Sequence, residues 1–124
     1  EGSLGAQPPT LNVPVLLIEG TEDRPGYGIT GIDSVHKTGV VFEYANHFIM
    51  ANRCAAVPGM VDAGFYFACS DPVWDMDRAH DLINHFATAF LLAELKGDTE
   101  AAKALAPANV VFPGIQYETT EFGQ

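Results

Sequence analysis

The sequence has 124 residues, 48% of them apolar and 18% charged, which suits one domain with one hydrophobic core and excludes a disordered chain. Sixteen acidic against six basic side chains leave a net charge of −10, so nucleic acid and anionic membrane surfaces are poor partners. No uninterrupted apolar run exceeds five residues, far too short for a membrane span.

Residues 1–12 (EGSLGAQPPTLN) are rich in glycine and proline and read as a leader or linker, with the packed domain expected over 13–124. The chain opens on Glu1 without a basic, then apolar, start, so no signal peptide is read in it. The first residues are expected to have been removed or to belong to another piece. The run 13–18 (VPVLLI) is apolar on both faces and β-branched, the pattern of a strand covered on both sides as in a parallel sheet. Pro14 cannot donate to a ladder and so belongs at the strand's beginning. A polar turn follows from Gly20 to Gly26. Residues 29–37 are predicted as a short helix, 40–44 (VVFEY) as a second strand, and Ala45-Asn46-His47-Phe48 comes directly after it.

From 49 to 67 the sequence is small and apolar, and Pro58, Gly59 and Gly64 break any long periodicity. Ser70-Asp71-Pro72 reads as a turn or a helix start. The strongest helix is predicted over 75–96, with Met76, Ala79, Leu82, Ile83, Phe86, Phe90 and Leu91 recurring at steps of three and four. Gly97 supplies a left-handed stop and Lys96 suits the negative end of the helix dipole. A short helix over 99–105 stops before Pro107, and a last strand is placed around 115–119. Strands alternating with helices predict an α/β architecture with a parallel sheet and flanking helices. Two confident strands make a poor sheet, so the domain is expected to be part of a larger one.

Fourteen residues separate Cys54 from Cys69, and the absence of CxxC spacing argues against a zinc knuckle or a thioredoxin-type site. An acidic composition with few lysines fits a secreted or periplasmic protein, in which a disulfide between the two would persist. Two buried free thiols are the alternative.

Asp23 lies just past the carboxyl end of the first strand and His47 just past that of the second. Ligands and catalytic groups gather at that edge of parallel sheets. A carboxylate accepting from one imidazole nitrogen fixes the tautomer and leaves the other nitrogen free to take a proton from a nucleophile. An ordinary turn aspartate and a structural loop histidine are the plainer explanation. Phe48, adjoining His47, is expected at the site, whereas Phe65, Tyr66, Phe67 and Trp74 are equally explained as core. Asp77, Asp81 and His85 share a helix face and could hold a cation, but a solvated face accounts for them more simply, and no metal or organic cofactor is expected. His80 and Asn84 are placed for a local hydrogen bond, and His36 is expected to be exposed. Gly26, Gly28 and Gly31 form a literal G-x-G-x-x-G, the outline of a dinucleotide fingerprint. The intervening Gly20–Pro25 turn and the short helix expected after Gly31 argue against it.

The segments VPVLLIEGTEDRP and VVFEYANHF, in this order, resemble the last part of an α/β-hydrolase, in which the triad runs Ser, then Asp or Glu, then His. The stretch CSDPVWDMDRAHDLINHFATAFLLAELKGD looks like the closing helix of secreted hydrolases similar to dienelactone hydrolase and polyester-cleaving esterases. The resemblance covers roughly residues 11–118. It implies Asp23 as the triad acid, with Glu22 as a fallback, and His47 as the base. The three serines, Ser3, Ser34 and Ser70, lie in no G-x-S-x-G. The nucleophile is therefore expected on an N-terminal segment that completes the sheet, with this chain as the C-terminal portion of a carboxylic ester hydrolase. The alternative is a non-catalytic binding domain of hydrolase-like shape.

Overall fold

Two-sided apolarity over 13–18 gives a strand, β1 (Val15–Gly20), that pairs in parallel with β2 (Lys37–Phe42), from Val15 opposite Lys37 to Gly20 opposite Phe42. The computed structural model describes residues 10–23 and 28–123, the side chain of Asp23 excepted. A third strand, β3 (Ile115–Thr119), runs antiparallel on the other side of β2, with Phe42 opposite Ile115 and Thr38 opposite Thr119. The sheet order β1-β2-β3 makes it mixed, with β2 in the middle. Paired on both sides, β2 is buried from Thr38 to Phe42.

Side chains alternate across a strand, so Val40 and Phe42 face one side of the sheet and Gly39 and Val41 the other. The first side packs against α2 (Met76–Lys96) through Ala79, Leu82, Phe86, Ala89 and Phe90. Burial of each large side chain here contributes about 1.5–3 kcal/mol. Leu91 falls off this stripe and is 52% exposed, although its spacing had placed it on the apolar face. Asp75 caps α2 by accepting from the amide of Arg78 at 2.9 Å. Gly97 ends it in the left-handed conformation, its amide bonded to Ala93 O and that of Asp98 to Leu92 O. Asp98 then caps α3 (Thr99–Ala104).

The connection between β1 and β2 departs from the expected helix over 29–37. Over the expected helix it holds one 3-10 turn, Ile29–Gly31, and then a bridged and bent stretch to β2, which starts at Lys37, three residues earlier than expected. Tertiary contacts override the local pattern. Ile29 is buried over Gly39, where a Cβ would stand 3.1 Å from the isoleucine's Cδ1. Asp33 is drawn out by a parallel bridge to Thr10, reinforced by Leu11 N to Asp33 O at 2.8 Å. The supposed linker 1–12 therefore joins the fold from Thr10 onward. Ser3 and Gly26 lie outside the described residues.

Strand β2 stops at Phe42, short of the predicted Tyr44, because Glu43 and Tyr44 form a turn in which Tyr44 takes φ 61°. Between the two halves of the domain, residues 51–69 make an excursion around a five-residue helix, α1 (Pro58–Asp62), with proline in its first turn. Cys54 and Cys69 are joined by a disulfide across its base.

Candidate functional site

Because β1 and β2 are parallel neighbours, the turns that leave their carboxyl ends emerge side by side. The turn after β1 is Thr21–Asp23, and the turn after β2 and the Glu43-Tyr44 corner is His47–Met50. The first turn is bonded to the corner that leads into the second. The amide of Glu22 donates to Ala45 O at 3.1 Å, and the amide of Tyr44 donates to Thr21 Oγ1 at 2.7 Å. Gly20 makes the approach possible, since a Cβ there would sit 2.2 Å from Ala45 O. A left-handed φ at a bulky tyrosine is rare and costs energy, and here it is held between these two bonds at an exposed corner.

Asn46 shapes the histidine turn. Its side chain accepts from the amide of Phe48 at 2.8 Å, closing the first turn as an N-cap does. Its own amide donates to Asp71 Oδ2 at 3.0 Å. The other oxygen of Asp71 accepts from the amides of Val73 and Trp74, at 2.9 and 2.8 Å. One carboxylate thus ties the turn after β2 to the entry of α2. The Trp74 indole, packed edge-on to Phe42, adds a bond from Nε1 to Glu43 O at 2.8 Å. Behind the turn, His80 Nε2 meets Ile49 O at 2.9 Å, a partner different from the local Asn84 suggested by spacing.

His47 is exposed and borders an open pocket of about 350 Å³ that is also lined by Leu17, Ile18, Glu19, Gly20, Asn46 and Met50. Four consecutive residues of β1 line it, so it runs along the outer edge of that strand. Apolar lining with few polar groups suits a small-molecule or peptide site. Phe48 is half-buried, edge-on to His47 at 6.3 Å between ring centroids and to Phe67 at 5.8 Å, and Phe67 in turn meets Phe65 at 6.1 Å. Trp74 belongs to the core. Glu22 is exposed beside the Asp23 position.

The other candidates lie apart from this edge. Asp77 is ion-paired with Arg53, Asp81 is exposed, and His85 rests edge-on against Phe86 and Phe112. Among the described residues, no three groups gather to hold a metal. His36 is exposed. Gly28 and Gly31 bracket a single 3-10 turn with no α-helix before β2, so residues 28–36 present no helix amino end to a pyrophosphate. Ser34 Oγ donates to Val13 O and Ser70 Oγ to Tyr66 O. Among the described residues, two groups have perturbed acidity, Tyr117 in β3 and Glu121 just after it. Burial raises Tyr117 to about 12, and its hydroxyl donates to Leu105 O. Glu121 rises to about 7 through burial and the neighbouring Glu94.

The residues missed by sequence reading are Gly20, Tyr44, Asn46 and Asp71. Asp71 did carry a signal, as an aspartate before Pro72 is a habitual turn acceptor, but its partner 25 positions away did not.

No protein-family model matches this chain, and neither a curated protein nor a solved structure matches it. Among the described residues, no helix is long and apolar enough to cross a membrane.

Proposed function

We propose that the chain is the C-terminal portion of an α/β-hydrolase acting on carboxylic esters, supplying Asp23 and His47 to a Ser-Asp-His triad. The serine comes from an N-terminal segment packed along the outer edge of β1. The reading is supported above all by the direct bonding between the turns after β1 and β2, Glu22 N to Ala45 O and Tyr44 N to Thr21 Oγ1. The open pocket beside His47 and the residue order described for the sequence agree with it.

In this mechanism Asp23 accepts from one nitrogen of His47 and stabilises the imidazolium once it forms. The other nitrogen takes the serine proton as the hydroxyl attacks the acyl carbon, then returns it to the leaving alkoxide, releasing the alcohol. Water, deprotonated by the same imidazole, attacks the acyl-enzyme; the proton goes back to serine and the carboxylic acid departs. The chain's own residues need no metal or organic cofactor for these steps. A disulfide fits an oxidising compartment, so the enzyme is assigned to a secreted or periplasmic location.

The test is hydrolysis of a short-chain aryl ester by the chain assembled with its serine-bearing segment. His47→Ala should lower kcat by about 10⁴-fold or more, and Asp23→Asn by about 10⁴-fold, with folding intact. Full activity in either variant overturns the assignment and leaves the binding-domain alternative.

A further inference from the structure

The excursion over 51–69 has little to hold it in place except covalent chemistry. The hydrophobic cluster of the domain takes no residue between Ile49 and Trp74. Val61, Phe65, Tyr66 and Phe67 are 41%, 50%, 62% and 59% exposed. The backbone bonds of the excursion close on itself, as in Val57 N to Cys54 O, Met60 N to Val57 O, Phe65 N to Met60 O and Ala68 N to Phe65 O. Among the described residues its other ties to the domain are few: Ala51 N to Phe48 O and Ser70 Oγ to Tyr66 O where it meets the rest, the buried Cys69, an ion pair from Arg53 to Asp77, both exposed, and the ring contact between Phe67 and Phe48. An exposed ion pair contributes little, and a single edge-on ring contact is modest. The Cys54–Cys69 bond is what keeps the two ends of the excursion together.

We propose that this disulfide is a redox-sensitive latch. Intact, it holds Phe67 against Phe48 and so keeps an aromatic shelf beside His47. When it is cleaved, the excursion opens while the sheet and α2 stay folded. The reductant is a dithiol. One of its thiolates attacks a cysteine sulfur, breaking the S–S bond and forming a mixed disulfide. Its second thiol then displaces the protein sulfur and leaves as a cyclic disulfide. Two electrons and two protons pass to the protein, and Cys54 and Cys69 end as thiols. The opening itself does not depend on the hydrolase reading; only its consequence for ester turnover rests on His47 being the reactive imidazole.

The experiment compares amide hydrogen exchange in the oxidised protein, in the protein treated with dithiothreitol, and in Cys54→Ser/Cys69→Ser. Trp74, the single tryptophan, reports on the core by fluorescence, and the ring resonances of His47 and His36 are followed by NMR. Reduction and the double substitution should both speed exchange over 55–68 roughly a hundredfold, as loss of loop closure at this length implies. Trp74 emission, exchange in α2 and the His36 resonance should stay as they were, while the His47 resonance moves. Unchanged exchange over 55–68 overturns the latch. So does loss of Trp74 emission or α2 protection together with the excursion, or a His47 resonance that stays fixed. None of these readouts needs an ester, so the latch and the hydrolase reading fail separately.

Discussion

Gly20 and Ala45 touch across the end of the parallel ladder so closely that a methyl group on Gly20 would lie 2.2 Å from the Ala45 carbonyl oxygen. Backbone sits against backbone there, and no flexible side-chain end is available to yield. Gly20→Ala is therefore expected to force the two turns apart and to destabilise the domain by about 1–3 kcal/mol. Chemical denaturation followed by Trp74 fluorescence measures it. A midpoint equal to that of the parent would mean that the turns separate without cost.

Asp71 gives three backbone amides their acceptor, those of Asn46, Val73 and Trp74. Asp71→Ala leaves them to solvent or unpaired and should cost about 2–3 kcal/mol. Asp71→Asn keeps one carbonyl oxygen and should lose less, with the amide of Asn46 or those of Val73 and Trp74 exchanging faster. Equal stability of both variants and the parent, read from denaturation midpoints, would remove Asp71 from its tying role.

Glu121 has a folded pKa near 7 against an ordinary value of 4.5, owing first to burial and then to the Glu94 carboxyl beside it. The folded state therefore holds the proton more tightly than the unfolded chain does. The resulting contribution to stability is complete below about pH 4.5 and is lost as the pH rises through 7. Glu121→Gln should flatten this part of the stability profile and raise the melting temperature above pH 7, because one of two neighbouring charges is gone. A series of thermal melts between pH 4.5 and 8 decides it. Profiles with the same slope in parent and variant would assign the dependence to other groups.

The elements whose burial follows a simple period were legible from residue order alone. The VPVLLI run yields β1, and the predicted 75–96 helix is α2 (Met76–Lys96), stopped at Gly97 as read. The 29–37 connection was not legible, because Ile29 and Ile32 have helical spacing while the contacts that decide their geometry are Gly39 and Thr10. Nor could β3 be given its antiparallel direction, since nothing local to 115–119 names β2 as its partner. At the site, the order of Asp23 and His47 could be read, and so could the strand ends to which they belong. What brings those ends into contact could not, since Glu22 with Ala45 and Thr21 with Tyr44 are pairs distant in sequence whose bonds run largely through the backbone, at a spacing that Gly20 permits. Periodicity reports which faces are apolar and is silent about which amide meets which carbonyl.

The ladder between β2 and β3 has a consequence for synthesis. Thr38 and Thr119 share a hydrogen bond although they are 81 positions apart. The central ribbon therefore receives its second neighbour only after residues 115–119 have left the ribosome. Until then the nascent molecule carries a half-dressed nonpolar ribbon, and closing so large a loop is slow. Completion of the central ribbon therefore waits on a stretch far along the chain, and the ribbon's open side is an association hazard until then.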